Sequence, residues 1–355
     1  MSSIGKRTIP FIALLLIIAA CTSASPTTLP SEQILVPPVE PTLEQPTTNP
    51  LPTHEPTIIP SEVPLPTETQ ALSPTPFPMG GSGAIVFGSN RDGDYSNIYL
   101  LNLFDGKVTR LTMGDSNTFP GPFSPDGKLL LFTGFGLTNS FVGAMNADGT
   151  DPADLSNRPT IDEGFPTWSP NGEQIVFTSR MDGNNEIYIM NADGTNIKRI
   201  TNNPSDDFAP AWSPDGSLIA FVSDRDNPTG VNNLYLMNVD GSAVVRLTNG
   251  SEIDYGPAWS PNGKQITFRA DIDGNGELFA INADGTGRVN LTNNPASDWA
   301  PAWSPDGSLI AFQTNRDGNW EIYVMRADGS DQVNLTENLA DDQMPYWNPV
   351  VIATN

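Results

Sequence analysis

Residues 300–312 read APAWSPDGSLIAF, and close copies of this stretch recur along the chain. Successive copies lie 44 to 47 residues apart. Their motif aromatics are Phe123, Trp168, Trp212, Trp259, Trp303 and Trp347. Periods of this length are typical of propellers, in which each repeat is one small sheet that cannot bury its faces alone. The sequence therefore predicts a repeat architecture.

Each repeat has the pattern of four short strands. In the last complete repeat, apolar runs at 301–303, 309–312, 321–325 and 333–336 are separated by turns such as Ser-Pro-Asp-Gly and Arg-Ala-Asp-Gly. Proline presets φ and glycine tolerates positive φ, which are the requirements of such turns. β-branched and aromatic residues fill the runs between them. The pattern predicts an all-β fold made of four-stranded antiparallel blades.

The two ends of the repeat region are out of phase. The first apolar run, 85–87, corresponds to a second strand, whereas the last, 344–347, corresponds to a first strand. We expect the C-terminal strand to pair into the N-terminal blade, because this pairing removes both free sheet edges. The sequence thus predicts a closed six-bladed β-propeller over residues 81–355.

The N-terminus has the features of a secretory signal. Lys6 and Arg7 precede an apolar run of about twelve residues, which is short for a membrane span. Residues 18–21, Ile-Ala-Ala-Cys, resemble a bacterial lipobox, in which the cysteine is acylated. Cys21 is the only cysteine, so a disulfide within the chain is impossible. We expect a lipoprotein signal peptide over 1–20 and lipidation of Cys21; a transmembrane helix or an ordinary cleavage site are the alternatives.

Residues 21–80 form the next segment. They are rich in Pro, Thr and Ser, and from residue 22 they contain no Lys or Arg. Because this composition cannot bury an apolar core, we predict a disordered spacer that holds the propeller away from the membrane.

The chain is strongly acidic, with a formal net charge of −24. From residue 80 onward, 35 acidic and 15 basic residues give about −20. Such a surface repels phosphate backbones and anionic headgroups. We therefore expect no nucleic-acid partner, membrane contact through the lipid anchor only, and an envelope protein or basic peptide segment as the partner.

The repeated motifs over 84–349 include Trp-Ser-Pro-Asp-Gly, Ile-Ala-Phe, Arg-Asp-Gly, Glu-Ile-Tyr and Asn-Ala-Asp-Gly. Together they resemble the WD-like propeller repeat of the TolB family. In that family an α/β domain precedes the propeller, where this sequence predicts only a lipidated spacer. The resemblance implies an extracytoplasmic location and a role in protein binding. A peptidoglycan-associated protein is one partner that the resemblance implies.

The sequence offers few catalytic residues. The single histidine, His54, lies in the spacer, which excludes Ser-His-Asp triads and histidine-ligated metals from the propeller. No Gly-x-Ser-x-Gly motif occurs. We predict a non-enzymatic, lipid-anchored binding or scaffold module of the cell envelope. The alternative is a carbohydrate-active hydrolase or lyase, which needs two free carboxyls about 5 to 9.5 Å apart at the channel mouth.

Acidic residues recur five positions before the motif aromatics. They are Glu163, Asp207, Asp254, Asp298 and Asp342. Because they precede the innermost strands, we expect them to ring one mouth of the channel. Two interpretations remain open: a structural lattice in which each acid pairs with an arginine or caps amides between neighbouring blades, or a negative funnel that binds a cationic segment. Trp299 and Trp320 lie on the same face and are further partner-binding candidates, whereas the motif tryptophans are expected to pack between blades.

One hairpin resembles part of a calcium loop. Oxygen-bearing side chains alternate at Asp271, Asp273, Asn275 and Glu277. Calcium takes six to eight oxygen ligands, often from alternating positions of a loop. Asp-Gly is equally the common two-residue hairpin turn. Calcium binding and a plain turn therefore both remain possible, and no other cofactor is expected.

Overall fold

The computed structural model describes residues 83–227 and 230–350; the predicted signal peptide, Cys21 and the spacer lie outside the described residues. The described part holds 24 strands in six four-stranded antiparallel sheets. No helix able to cross a membrane occurs in it. The predicted all-β fold with four strands per blade is confirmed.

The strands follow one another in the same order in every blade. First strands are β4 (Thr118–Phe123), β8 (Glu163–Trp168), β12 (Asp207–Trp212), β16 (Ile253–Trp259), β20 (Asp298–Trp303) and β24 (Asp342–Trp347). Second strands are β1 (Ala84–Ser89), β5 (Leu129–Phe135), β9 (Gln174–Ser179), β13 (Leu218–Ser223), β17 (Gln265–Ile272) and β21 (Leu309–Thr314). Third strands are β2 (Asn97–Asn102), β6 (Ser140–Asn146), β10 (Glu186–Asn191), β14 (Asn233–Asn238), β18 (Asn275–Asn282) and β22 (Glu321–Arg326). Fourth strands are β3 (Val108–Arg110), β7 (Ala153–Asp154), β11 (Lys198–Arg199), β15 (Val245–Arg246), β19 (Val289–Asn290) and β23 (Val333–Asn334).

The first strands form a complete ring. Each contacts the first strand of the next blade, from β4 through β8, β12, β16 and β20 to β24, which contacts β4 again. The C-terminal strand β24 pairs with β1, with Ile85 opposite Trp347 and Ser89 opposite Asp342. The predicted closure of a six-bladed propeller by the C-terminal strand is therefore confirmed. We number the blade of β24 and β1–β3 as blade one; β4–β7, β8–β11, β12–β15, β16–β19 and β20–β23 form blades two to six.

The motif tryptophans lie between blades, as expected. Indole nitrogens donate to the preceding blade, from Trp259 to the Ala211 carbonyl at 3.2 Å and from Trp347 to the Ala302 carbonyl at 3.0 Å. Trp168 packs with Leu131 of the preceding blade. These side chains pack between the apolar faces of neighbouring sheets, because a single blade cannot bury its own faces.

Glycines in the turns between third and fourth strands allow neighbouring blades to pack closely. Gly241 has φ +86, and a Cβ atom there would lie 2.0 Å from the carbonyl oxygen of Ile200 in the preceding blade. The equivalent Gly194 would place a Cβ 2.5 Å from the Leu155 oxygen. Only glycine allows this close approach together with positive φ.

The strand directions give the propeller two different faces. One side carries the loops from second to third strands and the connections from one blade to the next, and we call this side the loop face. The turn face carries the Ser-Pro turns and the Asp-Gly turns after the third strands. Every first strand begins at the loop face, so the acids predicted to ring the mouth lie there.

Candidate functional site

The five acids occupy equivalent positions at the start of the first strands, and all are buried. Glu163, Asp207, Asp254, Asp298 and Asp342 are at most 2% exposed. In the remaining blade the equivalent residue is Thr118. Because burial penalises the charged form of a carboxylate, each of these side chains needs partners inside the protein.

Three of the acids form ion pairs with an arginine of their own blade. Arg225 Nη2 lies 2.6 Å from Asp207 Oδ2, and the equivalent distances to Asp298 and Asp342 are 3.0 Å from Arg316 and 2.8 Å from Arg91. The register explains this: Asp207 stands opposite Ser223, and Arg225 follows two residues later. The pairs therefore form within one blade, not between neighbouring blades.

Each of these arginines also covers an aromatic pair. The Arg225 guanidinium lies 5.0 Å from the ring centroid of Phe221 and 5.2 Å from that of Tyr235. The Tyr235 hydroxyl donates to Asp226 at 2.9 Å. Burial, with the nearby Asp226, raises the pKa of Tyr235 to about 12. Arg91 and Arg316 make the corresponding contacts in their blades.

Glu163 has a longer ion pair of a different origin. Its partner Arg158 comes from the connection that precedes the first strand, with Nη1 3.4 Å from Oε1. Burial raises the pKa of the Glu163 carboxyl, opposed by hydrogen bonds and by Arg158. Four of the five acids are thus paired with arginine, by two different routes.

Asp254 is the exception. The position two residues beyond its cross-strand partner Ala270 is Ile272, where three other blades have arginine. The Thr248 hydroxyl donates to Asp254, and Arg288 pairs with Glu252 at 3.5 Å. Burial is the main cause that raises the pKa of Asp254 to about 7. Blade five therefore contains a buried carboxyl with no guanidinium bonded to it.

A second set of buried glutamates lies at or near the start of the third strands of three blades. Glu277 accepts hydrogen bonds from the Thr292 hydroxyl at 2.5 Å and from the Asn294 amide at 3.0 Å. Asn294 in turn donates to Asp298 of the next blade at 2.7 Å. Glu186 and Glu321 make equivalent contacts. These glutamates fix the connections between blades.

The residues of the proposed calcium loop lie at the β17–β18 hairpin. Asp273 and Gly274 form its two-residue turn, with φ of 53° and 85°. Asp271 pairs with Arg269 at 2.9 Å, and Asn275 donates to Glu277 at 2.8 Å. Residues 83–227 and 230–350 contain no group of three acidic, histidine or cysteine side chains arranged to hold a metal. Calcium binding here stays a prediction, while the hydrogen bonds of Glu277 have equivalents in other blades.

The two tryptophans outside the motif phase lie at the loop face. Trp299 stacks on Tyr255 with ring centroids 5.7 Å apart, and the Arg269 guanidinium lies 3.6 Å from its centroid. The backbone amide of Trp320 donates a hydrogen bond to Asp341 Oδ1 at 3.0 Å, and its carbonyl accepts one from the Asp342 amide at 2.7 Å. Both indoles are half-buried. A role in partner binding for these tryptophans and the five acids stays a prediction.

Four exposed apolar side chains on the loop face were not predicted from the sequence. Tyr95, Met113, Leu137 and Leu339 are 40%, 85%, 104% and 99% exposed. The available signal was a large apolar residue inside a loop of turn-forming residues, as in Gly136-Leu137-Thr138-Asn139. Repeat patterns do not reveal such residues, because they depart from the repeat.

Comparisons with known proteins agree with this architecture. Residues 156–229 match the family model of the TolB beta propeller domain. No curated protein matches the sequence.

Among solved structures, TolB from Acinetobacter baumannii is similar with a TM-score of 0.64 and 21% identity, over 75% of this chain and 66% of that one, just under two thirds of its length. The putative TolB from Agrobacterium tumefaciens gives 0.59 and 23%, over 73% and 90% of the two chains. An oligogalacturonate lyase in complex with manganese gives 0.52 and 19%, over 72% and 74%. These likenesses show the fold. The resemblance to the TolB propeller repeat is confirmed: residues 156–229 match the TolB beta propeller domain, within a described range that folds as one six-bladed propeller.

Proposed function

We propose that this protein is a lipid-anchored module of the cell envelope that binds another protein through the loop face of its propeller. The observation that carries the proposal is that the five buried acids have their partners inside the protein. Four of the five are paired with arginines and Asp254 accepts a hydrogen bond from Thr248. These contacts favour a framework role for the acids, which leaves the loops above them to contact a partner. The match to the TolB beta propeller domain and the likeness to TolB structures support this role and an extracytoplasmic location.

The enzymatic alternative receives less support from the same residues. It requires two carboxyls at the mouth that no arginine neutralises. Among the five acids only Asp254 has no arginine bonded to it, and its neighbour Glu252 pairs with Arg288. The fold is shared with a lyase and with a puromycin hydrolase. A shared fold does not imply that this chain has the activity of either enzyme.

The binding role predicts a partner at the loop face in living cells. We expect a photoreactive phenylalanine analogue at Trp320 of the full chain to form an adduct of one discrete mass. The same analogue at Val289, an exposed residue of an outermost strand, serves as the control and is expected to give none. Equal adducts from both positions, or none from several loop-face positions, would contradict the proposed function.

The lipid anchor predicts a requirement for Cys21. We expect Cys21→Ala to move the protein from the membrane fraction to the soluble envelope fraction, because no acyl chain is attached to alanine. Incorporation of an alkyne-labelled fatty acid into wild type, and its loss in the variant, is the matching measurement. A variant that remains in the membrane fraction without label would point to a different anchor.

A further inference from the structure

The exposed apolar residues of the loop face are confined to one part of it. Tyr95 lies in the β1–β2 loop, Met113 in the connection to blade two, Leu137 in the β5–β6 loop and Leu339 in the connection that leads to β24. We call these four residues the apolar sector. In the described part of the chain, the other exposed large apolar residues lie on the outermost strands or toward the turn face: Phe104, Val244, Val245, Val289, Val333 and Val350. The described loop-face residues of blades three to five contain none.

Hydrogen bonds connect the neighbouring loops that carry the apolar sector. The Ser96 backbone amide donates to Asn117 Oδ1 at 2.8 Å, and the Phe135 backbone amide donates to the Asn117 carbonyl at 3.0 Å. These bonds bring the loops of Tyr95, Met113 and Leu137 together. On the other side, the Asp341 amide donates to Asn90 Oδ1 at 3.0 Å, which joins the Leu339 connection to the β1–β2 loop.

The charge around these apolar residues is predominantly negative. The four loops, 90–96, 111–117, 135–140 and 335–341, carry five acids, which are Asp92, Asp94, Asp115, Glu337 and Asp341. Their only basic residue is Arg91, which already pairs with Asp342, and the adjacent Arg110 lies 3.8 Å from Asp92. Large apolar side chains that are exposed together on one region of a surface, with a polar rim, are typical of interaction sites. A negative rim favours a positively charged partner and repels an acidic one.

We infer that the apolar sector is the docking surface of the loop face, and that its occupant is a cationic amphipathic segment of a partner protein. The segment places apolar side chains against Met113, Leu137 and Leu339, and its lysines or arginines next to the acidic rim. The apolar contacts supply most of the affinity, while the charges set the association rate and make it depend on salt. This inference rests on the proposed binding function and specifies where the partner binds and what chemistry it has.

The test measures binding of defined peptides to the full chain in non-ionic detergent by fluorescence anisotropy. The probes are a labelled Lys/Leu amphipathic peptide, a Glu/Leu peptide of the same pattern and a Lys/Ser peptide of the same charge. We expect the Lys/Leu peptide to bind at least tenfold more tightly than either other peptide. Raising the salt concentration is expected to weaken its binding.

A double substitution locates the site. L137S with L339S is expected to weaken Lys/Leu binding at least tenfold, without lowering the melting temperature, because both side chains are fully exposed. The matched control, V245S with V289S, removes two exposed apolar side chains from outermost strands and is expected to leave binding unchanged.

Several outcomes overturn the inference. They are equal binding of the Lys/Ser peptide, equal binding of the Glu/Leu peptide, or no effect of the double substitution. Sedimentation that shows a dimer abolished by L137S with L339S, with no peptide binding, would make a second copy the occupant instead. Adduct formation from Trp320 together with any of these results would leave the binding function standing and reject only this docking surface.

Discussion

Replacing Gly241 with alanine is expected to destabilise the propeller by about 4 kcal/mol, and to lower its melting temperature by roughly 10 °C. Two effects add. Alanine is strained at the φ of +86° that this turn requires, and its Cβ would lie 2.0 Å from the Ile200 oxygen of the neighbouring blade. Because the obstructing atom is backbone, relief requires the two blades to separate. Thermal and urea denaturation of wild type and variant measure the loss.

Gly274 provides the matched control. Its φ is +85°, almost the same as that of Gly241, but a Cβ atom at this position would meet nothing within 4 Å. Gly274→Ala therefore tests the backbone strain alone, and we expect it to cost about 1 kcal/mol. If both substitutions destabilised the propeller equally, the contact between blades would contribute nothing and our account of these turns would be wrong.

Replacing Asp254 with asparagine is expected to stabilise the protein at pH 8 by about 2 to 4 kcal/mol, since each pKa unit corresponds to about 1.4 kcal/mol. The folded-state pKa is about 7, above the ordinary value of 3.8. The folded state therefore holds its proton where the unfolded state has lost it, so the contribution of Asp254 to stability is greatest below about pH 4 and falls as the pH rises to 7. Asparagine carries no charge and still accepts the hydrogen bond from Thr248.

The measurement is the free energy of unfolding in urea at several pH values between 4 and 8. Wild type is expected to lose stability across this range relative to Asp254→Asn, with the difference levelling off above pH 7. The equivalent Asp298→Asn in the next blade is expected to act in the opposite direction and cost about 2 kcal/mol, because it breaks the pair with Arg316. Stabilisation by both substitutions would show that the arginine does not compensate for burial.

Much of the fold could be predicted from sequence, because the repeated motif marks the same strand in every blade. The interval between motif aromatics gives the blades, and the missing first strand before Ile85 matches the extra one that ends at Trp347. Hairpin turns were predictable from Asp-Gly and Pro-Asp-Gly, since few residues tolerate the required φ. The lipid-anchor prediction rests on Cys21 and the residues around it, and the propeller fold does not test it.

The candidate site was less predictable. The positions of the five acids follow from the repeat, but their burial and their pairing within a blade depend on the register between first and second strands. Asp254 could have been found by noting Ile272 where other repeats have arginine. The exposure of Leu137 and Leu339 could not, because a loop's path decides which of its side chains meet water.

The pairing of β24 with β1 also constrains how the protein is made. Ile85 and Trp347 are neighbours in the sheet although almost the whole domain separates them along the chain. Such long-range pairing slows folding, because the chain must lose much entropy before the contact forms. β1 has no inner neighbour until β24, the last described strand, pairs with it. Until that pairing forms, the ring of blades stays open and the inner edge of β1 is free to pair with another chain.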